Sequence, residues 1–422
     1  MHLGRAACVV SLMVGSMSMA GGSPSANAAD PGDFCSRVSP GDTSSHVADP
    51  ALIELSGLAA SRAHPGVLWA HNDSGDTARL FAMSATGDAL GVFDVAGAKA
   101  TDWEDIAVGP GPVADQPYIY IGDIGDNNAA RDHVTVDRVP EPTSPPKGDG
   151  NLEGVEAFDL TYPGGPEDAE SLLVDPLSGD LVIITKQRSG TSKVLTISQS
   201  QLDAASPVMM TQVATIQIPD TGAYDSNQKL ALPSTMATVA DISPDGSVIL
   251  LRTYQQVLAF TRAPGQSVGD AHGGTPCSAP QVAESQGEAS AFSDEGDRYF
   301  TSGEVQLARA SGAMAATDPL SLARFDIASP PTEAPTTTTA AATTVAPTLQ
   351  ATTTSGTPTS IVAPTTTAAA STVPASPPST SVPTRRSTNS SGHWWLWSGL
   401  GLIALGVGLA VLVPRRRRPQ RR

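Results

Sequence analysis

The sequence contains few aromatic residues, few cysteines and none of the common catalytic or metal-binding motifs. Aromatic residues make up 5% of the 422 residues, and there are three cysteines. No Cys-x-x-Cys, His-Glu-x-x-His or P-loop pattern is present. This excludes the common cysteine zinc sites, zinc proteases of that type and P-loop nucleotide binding. Amphipathic helical periodicity is also scarce, which argues against a helical fold.

Basic residues are scarce as well. The chain has 25 Lys and Arg against 42 Asp and Glu, a formal net charge of −17. Because residues 1–29 carry +1 and residues 329–422 carry +7, residues 30–328 carry −25. That charge argues against nucleic acid and against an anionic membrane surface as partners of this region, and it allows cations or cationic ligands.

The N-terminal residues have the pattern of a secretory signal peptide. Arg5 precedes an apolar stretch, and small residues follow that stretch up to Ala28. This order predicts a signal peptide over residues 1–28. Two cysteines remain after cleavage, Cys35 and Cys277. Outside the cytoplasm two cysteines usually pair, and two free thiols are the alternative.

The C-terminal residues have the pattern of a membrane anchor. An uncharged apolar run predicts one transmembrane helix over 393–414, and the arginine cluster after it predicts a basic cytoplasmic tail over 415–422. Residues 329–392 are mostly Thr, Ala, Pro, Ser and Val, which predicts a disordered stalk. The chain is therefore predicted to be a single-pass protein of the cell membrane whose residues 29–328 lie outside the cell.

Short apolar runs separated by turn residues recur across residues 29–328, which is typical of an all-β fold. Five similar units begin at intervals of 48, 66, 67 and 51 residues, the size of propeller blades. The first strands of the units are Ser56–Ala59, Glu104–Ala107, Glu170–Leu173, Ala237–Ala240 and Glu288–Ala291. We predict a β-propeller with five blades, and six blades are the alternative.

The fifth unit ends before a fourth strand. We predict that the strand 51–54, which precedes the first unit, supplies this outer strand and closes the ring. Cys277 falls in the outer part of the fourth blade, next to that strand. Closure of this kind places Cys277 near Cys35 and predicts a disulfide between them.

In a propeller, first strands begin and second strands end on the same face, near the axis. Acidic and amide residues are concentrated at these positions, and a cation with six to eight oxygen ligands, Ca²⁺ for preference, would offset their repulsion. The predicted metal ligands are Asp73, Asp102, Glu104, Asp123, Asp126, Asn127, Glu170 and Glu288. The predicted ligand-binding residues are Asn72, Lys186, Arg252, Tyr254 and Glu304.

The opposite face carries hairpin turns, rich in turn-forming residues. Segments 175–179, 243–246 and 293–296 are predicted to be turns of this kind. Acids on the first face could likewise cap turns or confer solubility only, which is the alternative to a binding site.

The motifs of the first face resemble those of a family of exported bacterial β-propeller proteins, over about residues 50–328. The motifs are Asn72-Asp73-Ser74-Gly75-Asp76, Asp102-Trp103-Glu104-Asp105, Gly122-Asp123-Ile124-Gly125-Asp126-Asn127, Asp168-Ala169-Glu170-Ser171 and Gln286-Gly287-Glu288-Ala289. The sequence is more distantly similar to six-bladed propellers of the gluconolactonase and SdiA-regulated kind, which implies a funnel with a divalent metal, often Ca²⁺. Ala237 stands where three other units have Glu, so a ring of ligands would be asymmetric.

These features favour a cell-surface binding module. Its expected partner is an extracellular ligand or a cell-wall component, bound at an acidic funnel with a divalent cation. The alternatives are a metal-dependent hydrolase of a lactone, phosphoester or glycoside, and a structural surface protein.

Overall fold

A computed structural model describes residues 31–202, 207–222, 232–312 and 314–330, and these residues form a five-bladed β-propeller. The predicted all-β fold with five blades is therefore confirmed. No helix among the described residues is long and apolar enough to cross a membrane. The predicted signal peptide, transmembrane helix and tail, and all of the predicted stalk after residue 330, lie outside the described residues and stay predictions.

Each blade is an antiparallel sheet whose first strand lies nearest the axis. Blade 1 consists of β2 (Leu55–Ala60), β3 (Val67–Asn72), β4 (Arg79–Ser84) and β5 (Ala89–Val95), with β9 (Gly150–Leu152) added in parallel. Blade 2 consists of β6 (Trp103–Pro110), β7 (Pro117–Asp123), β8 (Val134–Pro140) and β10 (Glu156–Thr161), with β14 (Val208–Met209) added in parallel. Blade 3 consists of β11 (Ala169–Val174), β12 (Leu181–Thr185), β13 (Thr191–Ile197) and β15 (Thr211–Gln217).

The last two blades follow the same plan. Blade 4 consists of β16 (Ala237–Ile242), β17 (Val248–Thr253), β18 (Val257–Thr261) and β19 (Cys277–Ala279). Blade 5 consists of β20 (Ala289–Phe292), β21 (Arg298–Ser302), β22 (Leu320–Asp326) and β1 (Asp42–Val47). Four short helices lie in connections, namely α1 (Pro31–Ser36), α2 (Gln199–Leu202), α3 (Val268–His272) and α4 (Gln306–Ala310).

The inner strands are buried on both faces because each blade packs between two others. Every residue of β12, Leu-Val-Ile-Ile-Thr, is buried. Five apolar clusters fill the five interfaces between neighbouring blades. This two-sided burial explains why the strands are continuous apolar runs and do not alternate between apolar and polar residues.

The predicted hairpin turns on the opposite face are present. Segment 243–246 joins β16 to β17, and the Gly246 amide donates to the Ser243 carbonyl over 2.8 Å. Gly246 has a φ of +73°, a conformation that glycine adopts without steric conflict. Segments 175–179 and 293–296 join β11 to β12 and β20 to β21 in the same way.

The ring closes in the predicted manner, but the predicted strand 51–54 is wrong. The outer strand of blade 5 is β1, which pairs with β22 through partners such as His46 and Ser321. Residues after β1 turn instead, because the Asp49 side chain accepts a hydrogen bond from the Ala51 amide over 2.9 Å. Leu52 then enters the core, where it is 2% exposed.

The predicted Cys35–Cys277 disulfide is present. Cys35 lies in α1 and Cys277 begins β19, the outer strand of blade 4. Their Cα atoms are 6.2 Å apart, within the range that a disulfide spans. The bond therefore ties the segment before β1 to the blade next to the closure.

Buried carboxylates cross-link the inner strands around the axis. Asp105 accepts hydrogen bonds from the amides of Leu172 in blade 3 (2.7 Å) and Ala240 in blade 4 (3.2 Å). Asp241 accepts from the Phe292 amide of blade 5 over 2.7 Å. Four of the five blades are thus joined by two side chains.

Candidate functional site

The first-strand beginnings and second-strand ends converge on one face, which we call the funnel. Its described acids come from blades 1, 2, 3 and 5, while Lys186 and Tyr254 follow the second strands of blades 3 and 4. The charge of Glu288 in blade 5 acts on Glu104 in blade 2. Electrostatic interaction across the ring therefore connects the predicted residues of opposite blades.

Three carboxylates of the funnel form a compact group, the acidic triad of Asp73, Asp102 and Glu104. One carboxylate oxygen from each lies within 4.8 Å of the others. Asp73 directly follows β3, while Asp102 and Glu104 flank the first residue of the neighbouring inner strand β6. The register of two adjacent blades thus brings together residues that are about thirty positions apart in the sequence.

Gly125 packs directly against the triad. A Cβ atom at this position would lie 2.1 Å from Glu104 Oε1 and 2.5 Å from Asp102 Oδ2. The Gly125 amide also donates to the Asp102 carbonyl over 3.2 Å. Only glycine therefore leaves room for both carboxylates, which explains one glycine of the Gly-Asp-Ile-Gly-Asp-Asn motif.

Burial and the neighbouring negative charges disfavour the ionised forms of the three triad carboxylates. Burial, followed by the charge of Glu288, raises the pKa of Asp73 to about 6. Burial and the charges of Asp73 and Asp168 raise the pKa of Asp102 to about 6. Burial, followed by the charge of Asp73, raises the pKa of Glu104 well above its usual value. Three carboxylates in such surroundings favour either a bound cation or a proton.

Lys186 is the ammonium group of the funnel, and it is paired with Glu170. The two groups are in direct contact and both are buried. Lys186 Nζ lies 5.2 Å from the centre of the Tyr254 ring, within the range of a cation–π contact. Glu170 Oε2 has no hydrogen-bond partner among the described residues. The charge of Lys186 also lowers the pKa values of Asp73 and Glu104, against the stronger effects that raise them.

A second cluster lies on the blade 5 side of the funnel. Gln286 Nε2 donates to Glu304 Oε2 over 2.7 Å, and the Glu304 amide donates to the Gln286 carbonyl over 3.1 Å. The carboxylate of Glu288 lies close to Glu304 and to Tyr254, and its charge, after burial, raises the pKa of Tyr254. Burial, followed by the charge of Glu288, raises the pKa of Glu304 well above its usual value.

Other predicted ligands organise the loop after β7. Asp123 accepts hydrogen bonds from the amides of residues 101 and 102 and pairs with Arg131 over 2.8 Å. Asp126 Oδ2 accepts from the amides of Ala130 and Arg131, both over 2.7 Å. Asn127 is exposed. The structure therefore does not bring these three residues into the triad, but Asp123 supports the backbone that carries it.

Two predicted ligand-binding residues also serve the surrounding structure. Asn72 Oδ1 accepts from the amides of residues 53 and 54, and its Nδ2 donates to Ala51 and Asp76. Arg252 is 1% exposed, pairs with Glu284 and donates to the carbonyls of residues 289 and 302. None of these partners is a triad residue.

Three funnel residues were missed from the sequence. Glu54 directly precedes the first strand of blade 1, as Asp102 and Asp168 precede those of blades 2 and 3, and its assignment to a strand concealed this. Burial, followed by the charge of Asp73, raises the pKa of Glu54 to about 7. Asp168 accepts from the Asp126 amide over 2.9 Å. Gln286 belongs to the Gln-Gly-Glu motif that the sequence analysis identified. Its side chain is neutral, so the search for clustered charges did not select it.

Comparison with known proteins does not assign this chain to a family. No protein-family model matches the sequence, and no curated protein matches it. The luciferin-regenerating enzyme is 8% identical with a TM-score of 0.37, over 68% of this chain and 94% of that chain. U3-55K is 10% identical with a TM-score of 0.33, over 65% of this chain and 96% of that chain.

The hydrazine synthase of Kuenenia stuttgartiensis is also similar in structure. It is 14% identical with a TM-score of 0.29, and the match covers 60% of this chain and 56% of that one. The match thus spans little more than half the length of the hydrazine synthase chain. Likenesses this weak carry no argument about function, and the resemblance to exported propellers stays a prediction.

Proposed function

We propose that the protein binds a divalent cation, Ca²⁺ for preference, at Asp73, Asp102 and Glu104, and through it an extracellular ligand. The observation that carries the proposal is the convergence of these three carboxylates within 4.8 Å at a partly buried position. Carboxylate oxygens are the ligands that Ca²⁺ prefers, and the remaining coordination positions would be open to water or to a ligand.

The charge of the surroundings supports a cation. Lys186 is engaged by Glu170, so its charge is shared between that partner and the triad. Glu54, Asp168, Glu288 and Glu304 add further carboxyl groups around the triad. A cation at the triad would lower the free energy of the ionised forms of all these groups.

Metal analysis and thermal melting of the Asp102→Asn variant test the proposal. We expect the wild-type protein to bind Ca²⁺ and to melt at a higher temperature with it. Asp102→Asn should weaken Ca²⁺ binding by about tenfold or more, equivalent to about 1.4 kcal/mol, because it removes one charged ligand. Asp94→Asn is the matched control, since it makes the same charge change at an exposed position of β5.

Two results would contradict the proposal. One is the absence of bound metal and of any melting shift at millimolar Ca²⁺. The other is an equal loss of affinity in the Asp94→Asn control, which would indicate a general effect of charge. Turnover of aryl glycosides, lactones or phosphoesters by the Ca²⁺-loaded protein would replace binding with hydrolysis as its function.

The proposed site of action is the outer surface of the cell membrane. This part of the proposal is supported by the predicted signal peptide and the apolar run over 393–414. Protease added to intact cells should digest the propeller and spare the arginine-rich tail. Digestion of the propeller only after cell lysis would contradict display on the surface.

A further inference from the structure

The blade 5 side of the funnel has the features of a second cation site. Glu288 directly precedes β20, and Glu304 is the second residue after β21. Both side chains are buried, with exposed fractions of 5% each. Two carboxylates placed close together in buried surroundings repel each other unless a positive charge lies between them.

Two buried oxygen atoms of this cluster lack a hydrogen-bond donor. They are Gln286 Oε1 and Glu304 Oε1, and neither has a partner among the described residues. Gln286 is 6% exposed, and its Nε2 is already directed at Glu304. A buried acceptor without a donor is unusual and requires an explanation such as an ion. Because both unpartnered atoms are oxygens, they are able to coordinate a cation or to accept from a donor, and they would repel an anion.

The backbone holds these oxygens in place. Gln286 has a φ of +41°, which residues other than glycine rarely adopt. A Cβ atom on Gly303 would lie 2.3 Å from the Gln286 carbonyl oxygen, so the segments before β20 and after β21 approach as closely as glycine allows. Tyr254 of blade 4 lies close to Glu288, whose charge, after burial, raises the pKa of the tyrosine.

The cluster shares no residue with the acidic triad, although the charge of Glu288 acts on Asp73. The triad consists of Asp73, Asp102 and Glu104, and neither Glu288 nor Glu304 belongs to that close group. The nearby ammonium group, Lys186, is in contact with Glu170. No cationic side chain is hydrogen-bonded or ion-paired to Glu288 or Glu304 in the part of the chain that the structure describes.

We propose that Glu288, Glu304 and Gln286 Oε1 form a second site for a hard divalent cation, on the blade 5 side of the funnel. Carboxylate and amide oxygens are suitable ligands for Ca²⁺. Tyr254 acts as a positioning residue that orients Glu288. The inference goes beyond the proposed function, since this site shares no ligand with the triad and would make the funnel a two-cation centre.

Counting bound Ca²⁺ by native mass spectrometry of the full-length protein tests this inference. The wild-type protein should bind two Ca²⁺ ions, and Glu304→Gln and Asp102→Asn should each bind one. The variant with both substitutions should bind none. Melting temperatures in the presence of a chelator verify that each variant is folded, and Glu304→Gln preserves the size of the side chain.

The Tyr254→Phe variant provides a second readout that a structural role alone would not change. Removing the hydroxyl should weaken the second Ca²⁺ by about tenfold while the first is unaffected, because the hydroxyl lies close to Glu288 and is not part of the triad.

One result would overturn the second site and leave the triad site intact. In it the wild-type protein binds a single Ca²⁺, Asp102→Asn binds none, and Glu304→Gln still binds one. Binding of no Ca²⁺ at all would overturn both sites, so the two failures are distinguishable.

Discussion

His272 shows how burial alone alters the chemistry of one residue. The side chain is 2% exposed, lies against the Phe260 ring and is hydrogen-bonded through Nδ1 to the Val268 carbonyl over 2.9 Å. Burial lowers its pKa to about 4, against the weaker opposing effect of that hydrogen bond. The folded protein therefore holds a neutral imidazole at pH values where the unfolded chain would be protonated.

This difference predicts how stability changes with pH. Because the pKa is lower in the folded state, the contribution of His272 is fully present above about pH 6.5 and is lost as the pH falls towards 4. Between pH 6.5 and 4.5 the wild-type protein should lose roughly 2 kcal/mol more unfolding free energy than His272→Gln. Guanidinium unfolding at the two pH values measures this difference.

His71 serves as an internal control for that measurement. Burial also lowers its pKa to about 4, and it titrates in both the wild-type protein and the variant. The difference between the two proteins therefore isolates His272. Equal losses on acidification would show that His272 is not buried in its neutral form.

At the scale of single elements, β1 shows the limit of sequence-based prediction. Its residues are Asp-Thr-Ser-Ser-His-Val, and only Val47 is buried. An outer strand with so little burial has no apolar pattern, so the neighbouring apolar residues 51–54 were chosen instead. The inner strands were predictable because burial on both faces requires continuous apolar sequence.

The same contrast holds for the candidate site. Asp73, Asp102 and Glu104 could be placed on one face, because the positions of strand ends determine the face. The sequence could not separate them from Asp123 and Asp126, which have the same charge and similar positions. Backbone amides decide the difference, since both of these side chains accept hydrogen bonds from loops.

The disulfide between α1 and β19 should stabilise the closure of the ring. It joins residues separated by 242 positions. Constraining an unfolded loop of that length is worth up to about 5 kcal/mol on chain-entropy grounds. We expect the Cys35→Ser, Cys277→Ser double variant to unfold at a lower denaturant concentration than the wild-type protein.

Reductant provides the control for that comparison. It should lower the stability of the wild-type protein towards that of the double variant and leave the double variant unchanged. Equal stability of the oxidised wild-type protein and the double variant would mean that the non-covalent pairing of β1 with β22 suffices for closure.

At the scale of the whole molecule, Asp105 links blades that are not neighbours in the ring. Its carboxylate accepts hydrogen bonds from Ile106 in its own strand, from Leu172 in blade 3 and from Ala240 in blade 4. Replacement by Leu would leave three buried amides without acceptors, each costing about 1–3 kcal/mol.

We therefore expect Asp105→Leu to lose about 3 kcal/mol or more of unfolding free energy. Asp105→Asn should lose less, because its remaining carbonyl oxygen still accepts hydrogen bonds. Denaturant unfolding of both variants, with the exposed Asp94→Asn as a control, measures the loss. Wild-type stability in Asp105→Leu would show that the blades hold together through their apolar interfaces alone.

The central claim concerns the acidic triad, and a crystal structure of the propeller grown with Ca²⁺ tests it most directly. Anomalous scattering would locate the ion independently of the surrounding protein. We predict a peak with oxygen atoms of Asp73, Asp102 and Glu104 about 2.3–2.6 Å away, the usual Ca²⁺–oxygen distance. A map at millimolar Ca²⁺ in which these three carboxylates surround no peak would contradict the account.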